Sequence, residues 1–159
     1  SQKITLSKET IDLYYMLVQL SDELSPVLAP RGNTVTLHLD EDLTIEADPE
    51  KLARVFNNIL KNAASYSDPH TEIVISAEKL EHEAILRFQN SGDDIPNEAL
   101  ASLFDKFYRA DQSRSSDTGG TGLGLAIAKE IVTLHGGTIS ASSRNHVVTF
   151  TISLPFSNS

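Results

Sequence analysis

The chain has 159 residues, of which 40% are hydrophobic and 22% charged, which suits one globular domain with its own core. Thirteen basic against twenty-two acidic residues give a net charge of -9. That argues against a non-specific nucleic-acid binder, which needs a basic footprint. Cysteine is absent, so disulfides and thiolate metal sites are excluded, and no apolar run reaches the roughly 18 residues of a membrane span.

After a short opening strand, Ser7 is placed to cap a helix over about 8–28, with Ile11, Leu13, Tyr14, Leu17, Leu20 and Leu24 at helical spacing. Pro30-Arg31-Gly32 stops it. The alternation of TVTLHL from Thr34 predicts a half-buried strand. Asp40-Glu41-Asp42 then turns the chain into a second strand at 43–47, and the two are expected to form a hairpin. Asp48 is a good N-cap and Pro49 suits the first helical position. Leu52, Val55, Phe56, Ile59, Leu60 and Ala63 make one apolar stripe on the helix that follows. Strands are expected over about 72–79 and 84–89, a short helix over 98–103, and a long polar stretch, FDKFYRADQSRSSDTGG, from Phe104. A further helix at about 122–135, stopped by Gly136, leads to a closing hairpin of TISAS and VVTFTISLP. Because strands are not separated singly by helices, a mixed, mainly antiparallel sheet with helices on one face fits better than a doubly wound parallel sheet.

Three stretches carry chemistry. Gly119, Gly120, Gly122 and Gly124 stand at the mouth of a helix. A P-loop would need Lys and then Ser or Thr where Leu125 and Ala126 stand, and a dinucleotide fingerprint would need Gly where Ile127 stands. What survives is the anion-binding capacity of a glycine-opened helix start, against the plain alternative of a linker entering a core helix. Asn58 and Asn62 lie one turn apart on one helix face, where amide oxygens can meet a hard cation such as Mg²⁺, or simply face solvent. Asn90, at a strand end beside the Gly92 turn, can donate to and accept from a base edge, or simply complete the turn. The five histidines, His38, His70, His82, His135 and His146, have no metal-ligand spacing, and His82-Glu83 fits an exposed hairpin tip.

Together, NNILKNAASYS, NSGDDIP, LFDKFYRAD and GGTGLGLAIAKEIVTLHGG resemble, in order, the N, G1, F and G2 boxes of bacterial sensor histidine kinases over nearly the whole chain. The resemblance implies the Bergerat fold of the GHKL family, a two-layer α/β (α+β) sandwich of a mixed sheet and a helix layer, as one catalytic domain over 1–159 that binds ATP with Mg²⁺. It implies Asn62 as the Mg²⁺ ligand, Asn58 as its phosphate-side neighbour and Arg109 as a catalytic cation near the phosphates. Asn90 would hold the adenine amino group, within a nucleotide site shared by Lys61, Tyr66, Gly92, Ile95, Lys106, Phe107 and Tyr108. Gly120, Thr121, Gly122, Leu123, Gly124 and Leu125 would wrap the phosphates, and residues 106–121 would form an ATP lid. Four positions depart from the family pattern. Asn90 replaces the usual Asp, Asp94 replaces a second Gly and makes its loop less permissive, Ser65 replaces a basic residue, and HVVTF lacks a final Gly.

The family transfers the ATP γ-phosphoryl group to a histidine on a separate, N-terminal dimerisation domain, for relay to a response regulator. No convincing acceptor histidine is present, so the chain is expected to bind nucleotide without phosphorylating itself efficiently. Ser1 is not a natural start, and a membrane anchor and the dimerising domain are expected upstream, with this part on the cytoplasmic side. An anti-sigma-type serine kinase of the same fold, or a nucleotide-sensing or docking module, are the alternatives. A gyrase- or Hsp90-type ATPase would want Glu at position 58.

Overall fold

Every second side chain of strand β5 (Glu83–Ser91) is buried, and strand β7 (Val147–Pro155) repeats the pattern with Val148, Phe150, Ile152 and Leu154. Such alternation makes one face of a sheet the floor of a core. The computed structural model describes residues 3–106 and 124–156. Among them, a five-stranded sheet runs in the order β2 (Thr34–Leu39), β4 (Glu72–Lys79), β5, β7, β6 (Thr138–Arg144). Only the β2–β4 pair is parallel. Helices α1 (Leu13–Leu28), α2 (Pro49–Tyr66) and α4 (Gly124–Leu134) supply the opposing layer, and α2 and α4 pack on each other. A short helix α3 (Asn97–Ser102) follows the loop after β5.

Helix α2 follows its sequence closely. The Asp48 carboxylate accepts from the Lys51 N–H, Pro49 occupies the first turn, and the buried residues are the six of the predicted stripe. Phe56 meets Phe88 of β5 with ring centroids 5.6 Å apart, joining the two layers. The closing hairpin and the strands flanking the exposed His82 tip also stand where the alternation put them.

The N-terminal third differs from expectation in two ways. Residues Glu9–Asp12 form strand β1 rather than a first helical turn, and Asp12, not Ser7, caps α1 by accepting from the Tyr14 N–H. Ser7 instead donates its backbone N–H to Asp48 Oδ2. The second difference is that β2 and β3 (Thr44–Ala47) are not a hairpin. β3 pairs antiparallel with β1 as a separate two-stranded ribbon, while β2 crosses to lie parallel to β4. Asp42 holds a left-handed turn (φ 60°) between them, which redirects the chain without fixing which strand becomes a neighbour.

Candidate functional site

The candidate site lies between α2, the end of β5 and the start of α4. Asn58 is half-buried, and its Nδ2 donates to the Gly124 carbonyl at 3.0 Å, so one of the two predicted asparagines holds the beginning of α4. Asn62 follows one turn later on the same face, half-buried. Lys61 between them is exposed, as is Lys106.

Asn90 is the most informative residue. It shares the inward face of β5 with Ala84, Leu86 and Phe88, only 4% of it is exposed, and its Nδ2 has no hydrogen-bond partner among the described residues. Buried amides are nearly always paired, so an orphaned donor at a strand end calls for an external partner. Gly92 stands close by. A Cβ there would meet the Tyr66 carbonyl oxygen at 2.3 Å, so glycine is required by the approach of the α2 C-terminus, not by a ligand alone. Ile95 and Leu125 pack at the rim of the core, and the Ile95 N–H donates to Ser143 Oγ. Phe107, Tyr108, Arg109, Gly120, Thr121, Gly122 and Leu123 lie outside the described residues.

Two of the departures from the family pattern fit together. Asn145 and His146 form the β6–β7 turn with φ of 53° and 63°, left-handed values that favour glycine. Asp94 Oδ1 accepts from the His146 N–H at 2.8 Å and from Ser143 Oγ at 3.3 Å, and the Gly92 N–H donates to the His146 carbonyl. Asp94 is not itself left-handed. It therefore acts as a strut that holds the glycine-free turn against the loop after β5. At the third departure, the Ser65 carbonyl accepts from Arg31 Nη1 at 3.4 Å, and the Arg31 guanidinium also reaches the Ala64 and Ser67 carbonyls. A cation thus closes the C-terminal end of α2, where the helix dipole is negative.

Arg31 and His135 escaped the sequence reading, Arg31 as part of a helix stop and His135 as a histidine without a partner at ligand spacing. His135 is buried. Its Nε2 accepts from the Asp48 N–H at 3.0 Å, and its Nδ1 lies 2.8 Å from the Ile131 carbonyl. The neutral ring with its proton on Nδ1 satisfies both contacts. The available signal was position, a histidine directly after a helix and just before Gly-Gly. Burial works against the Asp48 carboxylate, but hydrogen bonds from the Ser7 and Lys51 N–H groups and the Lys51 charge outweigh it and hold the group below the usual carboxylate range. No group of three or more His, Asp or Glu residues suited to a metal occurs among the described residues, and no helix there is long and apolar enough to cross a membrane.

Residues 47–158 match the family model described as Histidine kinase-, DNA gyrase B-, and HSP90-like ATPase, and the chain belongs to this family. Within it, the chain is an ATPase domain of the histidine-kinase type. It is 55% identical over 154 residues to sensor protein VanS of Enterococcus faecium, across 97% of this chain and 40% of that protein, and so spans about two-fifths of that relative. It superposes on the nucleotide-free catalytic domain of histidine kinase ThkA with a TM-score of 0.84 at 25% identity, covering 94% of this chain and 95% of that one. ThkA in complex with response regulator protein TrrA matches with a TM-score of 0.80 at 24% identity, over 94% of this chain and 42% of that one.

Proposed function

We propose that the chain is the nucleotide-binding catalytic unit of a two-component sensor kinase, presenting ATP so that its γ-phosphoryl group passes to a histidine on a separate dimerisation domain. The observation that carries this is the buried amide of Asn90, whose Nδ2 is unpartnered among the described residues, facing the space between β5 and the helix layer. In this assignment Asn90 receives the adenine edge, Tyr66, Gly92 and Ile95 border the base, and Asn58 keeps the start of α4 in register with α2. Arg109, Lys61 and Lys106 are the candidate cations for the phosphates, and residues 106–121 the candidate lid.

The donor set suits Mg²⁺. Asn62 offers a hard amide oxygen, and the lack of a carboxylate cluster among the described residues fits a metal that keeps waters and touches phosphates. When bound, Mg²⁺ supplies neutralisation of phosphate charge. Phosphoryl transfer needs little covalent chemistry from the protein, so these residues act by binding, orienting and excluding water. The acceptor histidine lies on a dimerisation domain outside this chain, and a response regulator is a separate partner, as the complex of ThkA with TrrA illustrates for that kinase.

The test is calorimetric titration with a non-hydrolysable ATP analogue, first with Mg²⁺ and then with EDTA. Mg²⁺-assisted binding that Asn62→Ala weakens is the expected result. With γ-labelled ATP this chain alone should remain nearly unlabelled, and label should appear, acid-labile, on an added dimerisation domain. An absence of binding heat together with no competition by ADP would overturn the proposal. Acid-stable label on a serine would assign the alternative kinase class.

A further inference from the structure

The Asn90 amide is buried, its donor is unused, and no hydrogen bond from the described residues fixes which way round it sits. A carboxylate at this strand end would be acceptor-only. An amide carries an acceptor and a donor group side by side, and a half-turn about its last side-chain bond exchanges them. A protein partner on either atom would lock one order, and the described residues supply none.

Resting on the assignment of Asn90 to the base, we infer that this site takes 6-oxopurine nucleotides, such as those of inosine, as well as adenine nucleotides. Adenine presents an amino donor at C6 beside an acceptor at N1. A 6-oxopurine presents the reverse, a carbonyl acceptor at C6 beside an N1–H donor. Asn90 in one orientation gives its oxygen to the adenine amino group and its Nδ2–H to N1. Turned over, it gives Nδ2–H to the oxo group and accepts from N1–H. Each base therefore satisfies the buried donor, and neither leaves an amide atom unmatched. A carboxylate would match only one position of either base, accepting from the adenine amino group or from the 6-oxopurine N1–H, and would set its other oxygen against an acceptor in both cases. In a buried site such an acceptor-against-acceptor contact is costly, and the amide avoids it with both bases.

The test is titration of the 159-residue chain with non-hydrolysable triphosphate analogues of adenosine and inosine, each with Mg²⁺. Inosine is the probe because guanine's 2-amino group would add a contact beyond the edge in question. The two dissociation constants are expected to lie within about tenfold of each other. Asn90→Leu, which removes both amide groups, is expected to weaken both analogues by at least about tenfold, with thermal melting to verify that the variant is folded. If the adenosine analogue binds and the inosine analogue is weaker by more than that margin, this inference falls and the ATP assignment stands. A folded Asn90→Leu chain that keeps its affinity for either analogue also overturns it, because the amide is then not the group that meets the base. If neither analogue binds, both fall. Should the variant not fold, the pair of affinities for the unaltered chain decides alone.

Discussion

Replacing Asp48 tests how the helix that carries Asn58 and Asn62 is held. Its carboxylate accepts from the Ser7 N–H at 2.8 Å and from the Lys51 N–H at 3.1 Å, in a residue only 4% exposed. Asp48→Ala removes a helix N-cap, worth typically about 1 kcal/mol. It also removes a second, charge-assisted hydrogen bond, worth about 2 kcal/mol, and leaves the Ser7 N–H without its acceptor. The expected loss is about 3 kcal/mol, or about 6–12 °C in melting temperature for a domain of this size. Urea unfolding at pH 7 measures it, and Asp48→Asn, which keeps one acceptor oxygen, should fall between. The pH dependence has a definite sign. Because the folded-state carboxylate is held below its usual range, its contribution is complete above the unfolded value, near pH 4, and disappears as pH falls through the lower folded value. The gap between the two proteins should therefore be flat from pH 7 to about 5 and close below about 4. A loss under about 1 kcal/mol at pH 7, or a gap indifferent to acid, would refute the reasoning.

Two glycines of the candidate site should respond oppositely. Gly92→Ala drives a Cβ to 2.3 Å from the Tyr66 carbonyl oxygen, a backbone clash expected to cost about 1–3 kcal/mol and to weaken nucleotide binding. Gly124→Ala places its Cβ 3.6 Å from Asn58 Cγ, an ordinary contact, so its stability in urea should be unchanged or up to about 1 kcal/mol higher. Equal destabilisation by both would contradict the packing described. Asp94→Ala should lower the melting temperature by the equivalent of about 1 kcal/mol, since the His146 N–H loses its acceptor. Adding Asn145→Gly should recover part of that loss by relieving a left-handed residue.

Much of this fold was legible because local signals and tertiary demands agreed. Asp48-Pro49 before a six-residue apolar stripe specifies α2 whatever surrounds it, and the alternation in β5 and β7 dictates one buried face. The reading failed where two local signals were equally good. Ser7 and Asp12 are both competent caps, and pairing of Glu9–Asp12 with β3 selects the second. Likewise TVTLHL announces a half-buried strand without naming its neighbour, and the parallel partner β4 comes a helix later. At the site, the asparagines and glycines stood out as residue types. The roles of Arg31, His135 and Asp94 did not, because their partners are backbone groups 33, 87 and 52 residues away in the chain. Backbone groups leave no mark in a sequence.

Helices α2 and α4 run antiparallel, and α4 is tied to α2 at both of its ends, by Asn58 in the middle of α2 to the Gly124 carbonyl and by the Asp48 N–H at the start of α2 to His135. Neither can peel away while the other stays. The two helices should therefore belong to one cooperative unit of sub-global unfolding, with their amide protons exchanging through a common opening of shared free energy. In a chain of this topology, the slowest-exchanging helical amides would then mark the frame around the candidate nucleotide site.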